Sequence, residues 1–277
     1  MSNSSPIIVW LRHDLRLTDN PALHAAAKKG AVVPVFVLAP EEEDLPPGGA
    51  SKWWLHQSLQ SLGRQLNALG RPLILRQGES IVELQQVTNE TGATAIYWNR
   101  SFSPKIAGRD AALANYFRIS GFKTQSFRAN LLLDPRTFET QQGRPYTVFT
   151  PFWKACLKQL NPPLPLPPPT HLIRPDKQPV TLRLHELQLE HTVDWAAGVR
   201  RAWAPGTSGA NLNMFTRYAL QEYDHQRDLL GVAGTSRLSP HLHFGEISPQ
   251  QVWHAVADSG ITEWKNSHGL VIEHIDN

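Results

Sequence analysis

Residues 6–14 read PIIVWLRHD, and this stretch decides the fold. The five apolar residues from Ile7 to Leu11 predict a buried strand, and the charged residues that follow end it. Four further segments of strand type occur before residue 130, with helical patterns between them. They are Val32–Leu38, Leu73–Leu75, Ala95–Trp98 and Lys123–Phe127. Strands that alternate with helices predict right-handed crossovers, and therefore an α/β domain with a five-stranded parallel sheet.

The helices between these strands carry recognisable end signals. Asn20 is placed to cap a helix that has Pro21 in its first turn and stops at Gly30. The clearest helix runs from Ser51 to Leu69, because its leucines recur every third or fourth residue. These leucines are Leu55, Leu59, Leu62, Leu66 and Leu69. They form one apolar stripe that faces the predicted core.

The composition excludes several classes of protein. The 277 residues, 41% hydrophobic and 18% charged, are typical of a globular chain with about two domains. No segment approaches the roughly 18 consecutive apolar residues of a membrane span, and no secretory leader is visible. The single cysteine, Cys156, excludes an internal disulfide and a cysteine-rich zinc site, and it favours the cytoplasm. We expect a monomer without bound metal and without membrane association. Trp53 and Trp54 are interpreted as core residues.

The pattern predicts three parts along the chain. Residues 1–130 form the α/β domain. Residues 131–192 form an interdomain linker, since eight prolines between positions 161 and 179 exclude a helix or a central strand there. Residues 193–277 form an incomplete helical domain in which no strand is recognisable.

Two polar clusters are candidates for binding sites. Arg12, His13 and Asp14 follow the first strand, where parallel sheets bind their ligands, although a salt-bridged loop is the commoner role of such residues. Residues 234–240 read GTSRLSP, with three hydroxyls and a guanidinium at the start of a predicted helix. This arrangement is typical of a phosphate cradle, and equally of a capped turn. No glycine-rich dinucleotide loop or Walker loop occurs in the first domain.

Three longer stretches resemble one known family. Residues 10–23 (WLRHDLRLTDNPAL), 148–153 (VFTPFW) and 234–252 (GTSRLSPHLHFGEISPQQV) are similar to signatures of the DNA photolyase/cryptochrome family, in the family's order. The resemblance extends over residues 6 to about 257. It implies a Rossmann-like antenna domain, a long linker and an all-helical domain that binds FAD.

The resemblance also implies roles for individual residues. By position in the family's motifs, the residues that contact FAD are Tyr223, Thr235, Ser236, Arg237, Leu238 and Ser239. Arg227, in the Arg227-Asp228 pair, lies at the position of a DNA-contacting residue, and a guanidinium on phosphate is the usual positioning contact. No residue is assigned a catalytic or metal-binding role.

The chain departs from the family pattern in two places. Family members are much longer, and after Gly260 the pattern decays, so a truncated chain is expected. The antenna chromophore is not identified by the resemblance. Some members hold a folate through an Asn-Glu pair, but residues 104–110 read PKIAGRD here. A folate is therefore disfavoured, while a deazaflavin or an empty cleft stays open.

Three functional hypotheses follow from the resemblance. The first is a deoxyribodipyrimidine photolyase, a carbon–carbon lyase in which light-excited reduced FAD donates an electron to cyclobutane pyrimidine dimers in UV-damaged DNA. This chain is expected to be a poorly active form of it. The second is a cryptochrome-like blue-light sensor that binds flavin without repairing DNA. The third is a non-catalytic remnant.

Overall fold

The computed structural model describes residues 5–43, 45–140, 142–190, 193–210, 212, 223–259, 263–265 and 271–273. The chain divides into two compact units. Unit 1 comprises residues 1–130, 166–210 and 238–247, and unit 2 comprises residues 131–165, 211–237 and 248–277. The sequence-based division into residues 1–130, 131–192 and 193–277 stays a prediction.

The described elements follow the predicted alternation. The strands are β1 (Ile7–Leu11), β2 (Val32–Leu38), β3 (Ile74–Gln77), β4 (Ala95–Asn99), β5 (Lys123–Phe127), β6 (Glu263–Lys265) and β7 (Val271–Glu273). The helices are α1 (Pro21–Lys29), α2 (Gly49–Ala68), α3 (Ser80–Thr91), α4 (Pro104–Ile119), α5 (Phe149–Gln159), α6 (Ala197–Ala202), α7 (Tyr223–Gln226), α8 (Ser239–His243) and α9 (Pro249–Ala257). Of these elements, α5, α7, α9, β6 and β7 belong to unit 2.

The five strands of unit 1 form one sheet in the order β3-β2-β1-β4-β5. All four pairings are parallel, with Ile7 of β1 opposite Val32 of β2 and Ala95 of β4. The predicted α/β class and sheet are thus confirmed. The strand order reverses at β1, so the crevice for a ligand lies at the carboxyl end of this central strand.

Both faces of the sheet are covered, because alternate residues of β1 point to opposite sides. Ile7, Val9 and Leu11 pack in one hydrophobic cluster with residues of α1 and α2. Ile8 and Trp10 pack in a second cluster with residues of α3 and α4. Four of the five striped leucines of α2 are fully or almost fully buried, as Trp53 and Trp54 are, which confirms the predicted core face.

The proline-rich segment has an extended course, as predicted. Residues 161–179 contain no helix, and their only pairing is an isolated parallel bridge between Ile173 and Ala31. The Val32 amide donates to the Ile173 carbonyl at 3.1 Å, and Leu172 is buried in the cluster that holds α1 and α2. The part of this segment from residue 166 onward therefore belongs to unit 1.

One detail differs from the sequence-based expectations. Strands β6 and β7 form an antiparallel pair where no strand was expected, because three-residue strands are too short to show an alternating pattern. Residues 260–262 and 266–270, part of the atypical tail, lie outside the described residues. Within the described part of the chain, no helix is long and apolar enough to cross a membrane.

Candidate functional site

The loop after β1 is built around the buried carboxylate of Asp14. The backbone amide of Arg12 and the side-chain amide of Asn99 each donate to it at 2.6 Å. Asn99 also donates to the side-chain oxygen of Asn20 at 2.8 Å, and that oxygen accepts the Leu23 amide at 3.1 Å as the cap of α1. The carboxyl ends of β1 and β4 and the start of α1 therefore form one polar network.

The same loop is anchored by Arg16, whose side chain is fully buried. Its guanidinium donates to the carbonyls of Asp19 at 3.1 Å, Ala129 at 3.1 Å and Gly245 at 2.9 Å, and to the side-chain oxygen of Asn130 at 3.0 Å. Burial lowers the pKa of Arg16, but a guanidinium stays protonated in proteins. The charge is therefore held by four oxygens, none of which belongs to a carboxylate.

A cleft of about 480 Å³ opens at the carboxyl edge of the sheet, where the strand order reverses. Its walls come from the ends of β1 and β2, residues 39–40, 43 and 45–48, the first turns of α2 and α4, and residues 243–244. All of them belong to unit 1. The cleft lies where the sequence predicts a ligand.

One wall of the cleft presents two fixed guanidinium groups. The guanidinium groups of Arg12 and Arg109 lie 4.3 and 4.9 Å from the ring centroid of Trp10. Both donate to the same oxygen of Asp110, at 2.7 and 3.2 Å, and Arg109 also contacts Glu42 at 3.1 Å. The indole nitrogen of Trp10 and the Nε of Arg109 are buried donors that have no hydrogen-bond partner within the described residues.

Two histidines also line the cleft. The rings of His13 and His243 lie 5.7 Å apart, and the His13 Nε2 is 3.9 Å from a carboxylate oxygen of Glu43. Burial is the largest effect on the pKa of His13 and lowers it below 6.5, while Glu43 opposes and His243 adds to this change. His13 therefore loses its proton more readily than an ordinary histidine.

A second buried carboxylate, Glu246, was not identified from the sequence. It accepts the Ser58 hydroxyl at 2.5 Å, the Trp54 indole N–H at 3.1 Å and the Gly206 amide at 2.7 Å. The His241 Nδ1 contacts its other oxygen. This network holds residues 241–246 against α2 and thereby fixes the segment that supplies His243 to the cleft. The partners are up to 192 residues apart in sequence, so no local pattern indicates them.

The predicted FAD residues are divided between the two units. Tyr223 and residues 235–237 lie in unit 2, whereas Leu238 and Ser239 lie in unit 1, with the Leu238 side chain buried. A Cβ at Gly234 would lie 2.6 Å from the Gln226 carbonyl oxygen, so only glycine allows the loop to approach α7 this closely. Thr235 and Arg237 are exposed beside it, and Arg237 has a φ of 55°, a conformation that L residues rarely adopt.

Arg227, the predicted DNA contact, also lies in unit 2. Its guanidinium is 5.8 Å from the Tyr223 ring centroid, and its Nε is 3.6 Å from a carboxylate oxygen of Asp228. The side chain is 35% exposed and can therefore reach a partner. The roles of Arg227 and of the FAD residues stay predictions.

The fold and the cleft together define a doubly wound α/β protein whose ligand crevice lies where the strand order of the sheet reverses. A sequence model of the DNA photolyase family matches residues 7–170. The chain belongs to this family. It is 41% identical over 256 residues to the deoxyribodipyrimidine photo-lyase of Agrobacterium fabrum, covering 91% of this chain and 53% of that protein.

Two further comparisons agree. Cryptochrome-1 of Arabidopsis thaliana is 38% identical over 264 residues, which cover 94% of this chain and 39% of the cryptochrome. The crystal structure of a bacterial class III photolyase from Agrobacterium tumefaciens superposes with a TM-score of 0.87 at 40% identity, covering 92% of this chain and 53% of that one. The chain thus spans about half of the length of the relatives that it matches.

The Arg16 network predicts a large loss of stability on a conservative change. Arg16→Lys is expected to lower the free energy of unfolding by about 3 kcal/mol, because an ammonium cannot reach all four buried acceptors. Urea unfolding followed by circular dichroism measures the loss. Arg64→Lys, on the exposed side of α2, is the control and should change stability by less than about 0.5 kcal/mol. Equal effects of both changes would show that the four hydrogen bonds of Arg16 contribute little to the free energy of unfolding.

The cleft predicts the ionisation of His13. NMR titration should give His13 a pKa below 6.5, with the resonance assigned by its loss in His13→Gln. Glu43→Gln should lower this pKa further, because it removes the negative charge 3.9 Å away. His243→Gln should raise it, because it removes the electrostatic effect by which His243 lowers the pKa of His13. Shifts with the opposite signs would contradict the described geometry.

Proposed function

We propose that this chain is the N-terminal part of a deoxyribodipyrimidine photolyase, which binds FAD and UV-damaged DNA. The observation that carries the proposal is the match to a photolyase over 91% of the chain, including the motif at residues 234–239. When bound, FAD would supply the light-driven one-electron chemistry that splits a cyclobutane dimer. The protein's own contribution would be position and electrostatics.

The loop at residues 234–237 fits the phosphate end of FAD. Gly234 brings the loop against α7, and the Thr235 hydroxyl and the Arg237 guanidinium are exposed beside this contact. Hydroxyl and guanidinium donors are the groups that bind phosphate oxygens. We therefore assign the phosphates to Thr235, Ser236, Arg237 and Ser239, with Tyr223 packed nearby.

The cleft at the sheet edge fits a second, light-absorbing group. The guanidinium-bearing residues Arg12 and Arg109 that line it suit a ring system that carries carbonyl or anionic acceptors. The Asn-Glu pair that holds a folate in some relatives is absent from residues 104–110. A folate stays disfavoured, and a deazaflavin stays open.

A cryptochrome-type sensor is the second candidate, because a plant cryptochrome matches 94% of the chain at 38% identity. Both candidates bind FAD, and only the photolyase repairs DNA. For either function we propose a cytoplasmic location, since the lone Cys156 is buried and its burial raises its thiol pKa, as suits a reduced thiol.

The proposed FAD site is tested by titration. FAD added to the chain should bind weakly and saturably, measured by flavin fluorescence, and should not survive gel filtration. Arg237→Ala should weaken binding about ten- to a hundredfold, because one charge-assisted hydrogen bond to phosphate is lost. Arg183→Ala, whose side chain is 76% exposed in unit 1, is the matched control and should have no effect. Equal affinities of the two variants for FAD would show that Arg237 does not bind the FAD phosphates.

The proposed DNA contact is tested by binding as a function of salt. Arg227→Ala should weaken binding to damaged and undamaged duplexes alike, and should reduce the salt slope by about one. Fluorescence anisotropy with a labelled duplex measures both quantities. A loss confined to damaged DNA would make Arg227 a lesion reader instead. Blue light should produce no repair by this chain alone, and the Agrobacterium enzyme serves as the positive control.

A further inference from the structure

Unit 1 contains a second pocket, which shares no lining residue with the cleft at the sheet edge. Its volume is about 220 Å³, and its lining comes from the start of α2, from residues 189–190 and 193–196, and from α6. None of the residues predicted to contact FAD or DNA is among the described residues that line it. We name it the Trp195 pocket and define it by six residues: Trp53, Leu189, Glu190, Asp194, Trp195 and Arg200.

Part of the lining of the Trp195 pocket belongs to the protein core. Trp53, Leu189 and the neighbouring Ala196 are buried, and they lie in the hydrophobic cluster that holds α1 and α2. Trp195, in contrast, is 44% exposed. The pocket therefore combines a packed apolar base, which fixes its shape, with an indole that a ligand can reach.

The charged residues of the Trp195 pocket favour a cation. Glu190 and Asp194 are carboxylates, and Arg200 is the one cationic residue among the described residues of the lining. The Arg200 guanidinium donates to Oδ1 of Asp194 at 2.5 Å and thereby neutralises one of the two carboxylates. Oδ2 of Asp194 has no hydrogen-bond partner within the described part of the chain. The lining thus keeps a negative charge and free acceptor positions.

Glu190 is held in place from α2. Its Oε1 accepts the Gln57 side-chain amide at 2.9 Å, and its Oε2 lies 3.5 Å from Nε2 of His56. The Glu190 side chain is still 42% exposed, so a ligand can reach it. Carboxylates and indoles are the groups that recognise ammonium and guanidinium ions, the first by charge-assisted hydrogen bonds and the second by cation–π contact.

We propose that the Trp195 pocket binds an organic cation, namely an ammonium or guanidinium group at the end of a short aliphatic chain. The aliphatic chain contacts the apolar residues and Trp195, and the charged end pairs with Glu190 and Asp194. A volume of about 220 Å³ is smaller than the pockets of drug-sized ligands and suits a group the size of a lysine or arginine side chain. The inference goes beyond the proposed photolyase function and does not depend on the flavin and DNA sites.

Titration of the full chain with n-butylguanidinium tests the proposal. The indole N–H resonance of Trp195, assigned by its loss in Trp195→Leu, is followed by NMR at constant ionic strength. The expected result is a saturable shift with a dissociation constant of about 1 mM, the range of a ligand with about eight non-hydrogen atoms. Pentanoate, an anion of similar length, should give no saturable shift.

Two variants with opposite expected effects identify the charges that act. Asp194→Asn should weaken butylguanidinium binding about tenfold, because one charge-assisted hydrogen bond is lost. Arg200→Gln should strengthen it about threefold, because a competitor for Asp194 and a like charge are removed. Glu186→Gln is the matched control and should have no effect, since this exposed carboxylate of unit 1 pairs with Arg183 outside the pocket.

Several outcomes overturn the proposal. They are the absence of a saturable shift with the parent chain, an affinity that Asp194→Asn leaves unchanged, and weaker binding by Arg200→Gln. Saturable binding of pentanoate that Arg200→Gln abolishes also overturns it, because the pocket then takes an anion. Circular dichroism of the three charge variants should match that of the parent chain, since the substituted side chains are exposed.

A second probe identifies the source of the cation. A capped glycine–arginine–glycine tripeptide carries the same guanidinium on a peptide backbone. Tighter binding of the tripeptide than of butylguanidinium supports a basic side chain of a partner protein as the ligand. Equal or weaker binding supports a free small cation.

Discussion

Unit 1 depends on one buried cation. The Arg16 guanidinium is withdrawn from water and donates to four oxygens, three of them backbone carbonyls, while the carboxylates of Asp14 and Asp19 favour its charged form. Burying a charge is costly unless all of its donors are paired, so the network is favourable only when every acceptor is in place. Because the acceptors include Ala129, Asn130 and Gly245, the loop after β1, the exit from β5 and the segment after α8 must take their positions together.

The geometry of the cleft follows from this constraint. Gly245 has a φ of 65°, and a Cβ there would collide with the His13 carbonyl, so only glycine allows the segment to lie against the loop. The Leu15 amide donates to the Phe244 carbonyl at 3.2 Å, beside the Arg16 contact. His243 and Phe244 are thereby placed so that they line the cleft. The cleft is therefore completed by residues more than 220 positions away from the strand that forms its floor.

The sequence predicts those parts of the structure that depend on local patterns. The runs and stripes of apolar residues locate the five strands and the four helices of the sheet, because burial repeats with the period of each element. Asn20 is identified as a cap for the same reason: its side chain acts on an amide three residues away. The contacts of Glu246 with Trp54, and of Arg12 with Asp110, could not be predicted, since they join residues that only the tertiary fold brings together.

The candidate flavin loop can be predicted from the sequence only in part. Its residue types are visible in the sequence, but the left-handed backbone of Arg237 and the close approach of Gly234 to α7 are properties of the folded chain. Unit 1 is supported by its own hydrophobic clusters, whereas this loop lies in unit 2, whose described residues include few buried apolar ones. A weakly packed scaffold holds a strained residue poorly, because strain persists only where the surroundings over-determine the backbone. The pre-organisation of the phosphate end, and with it the affinity of this part of the site, thus depends on how firmly unit 2 packs around the loop.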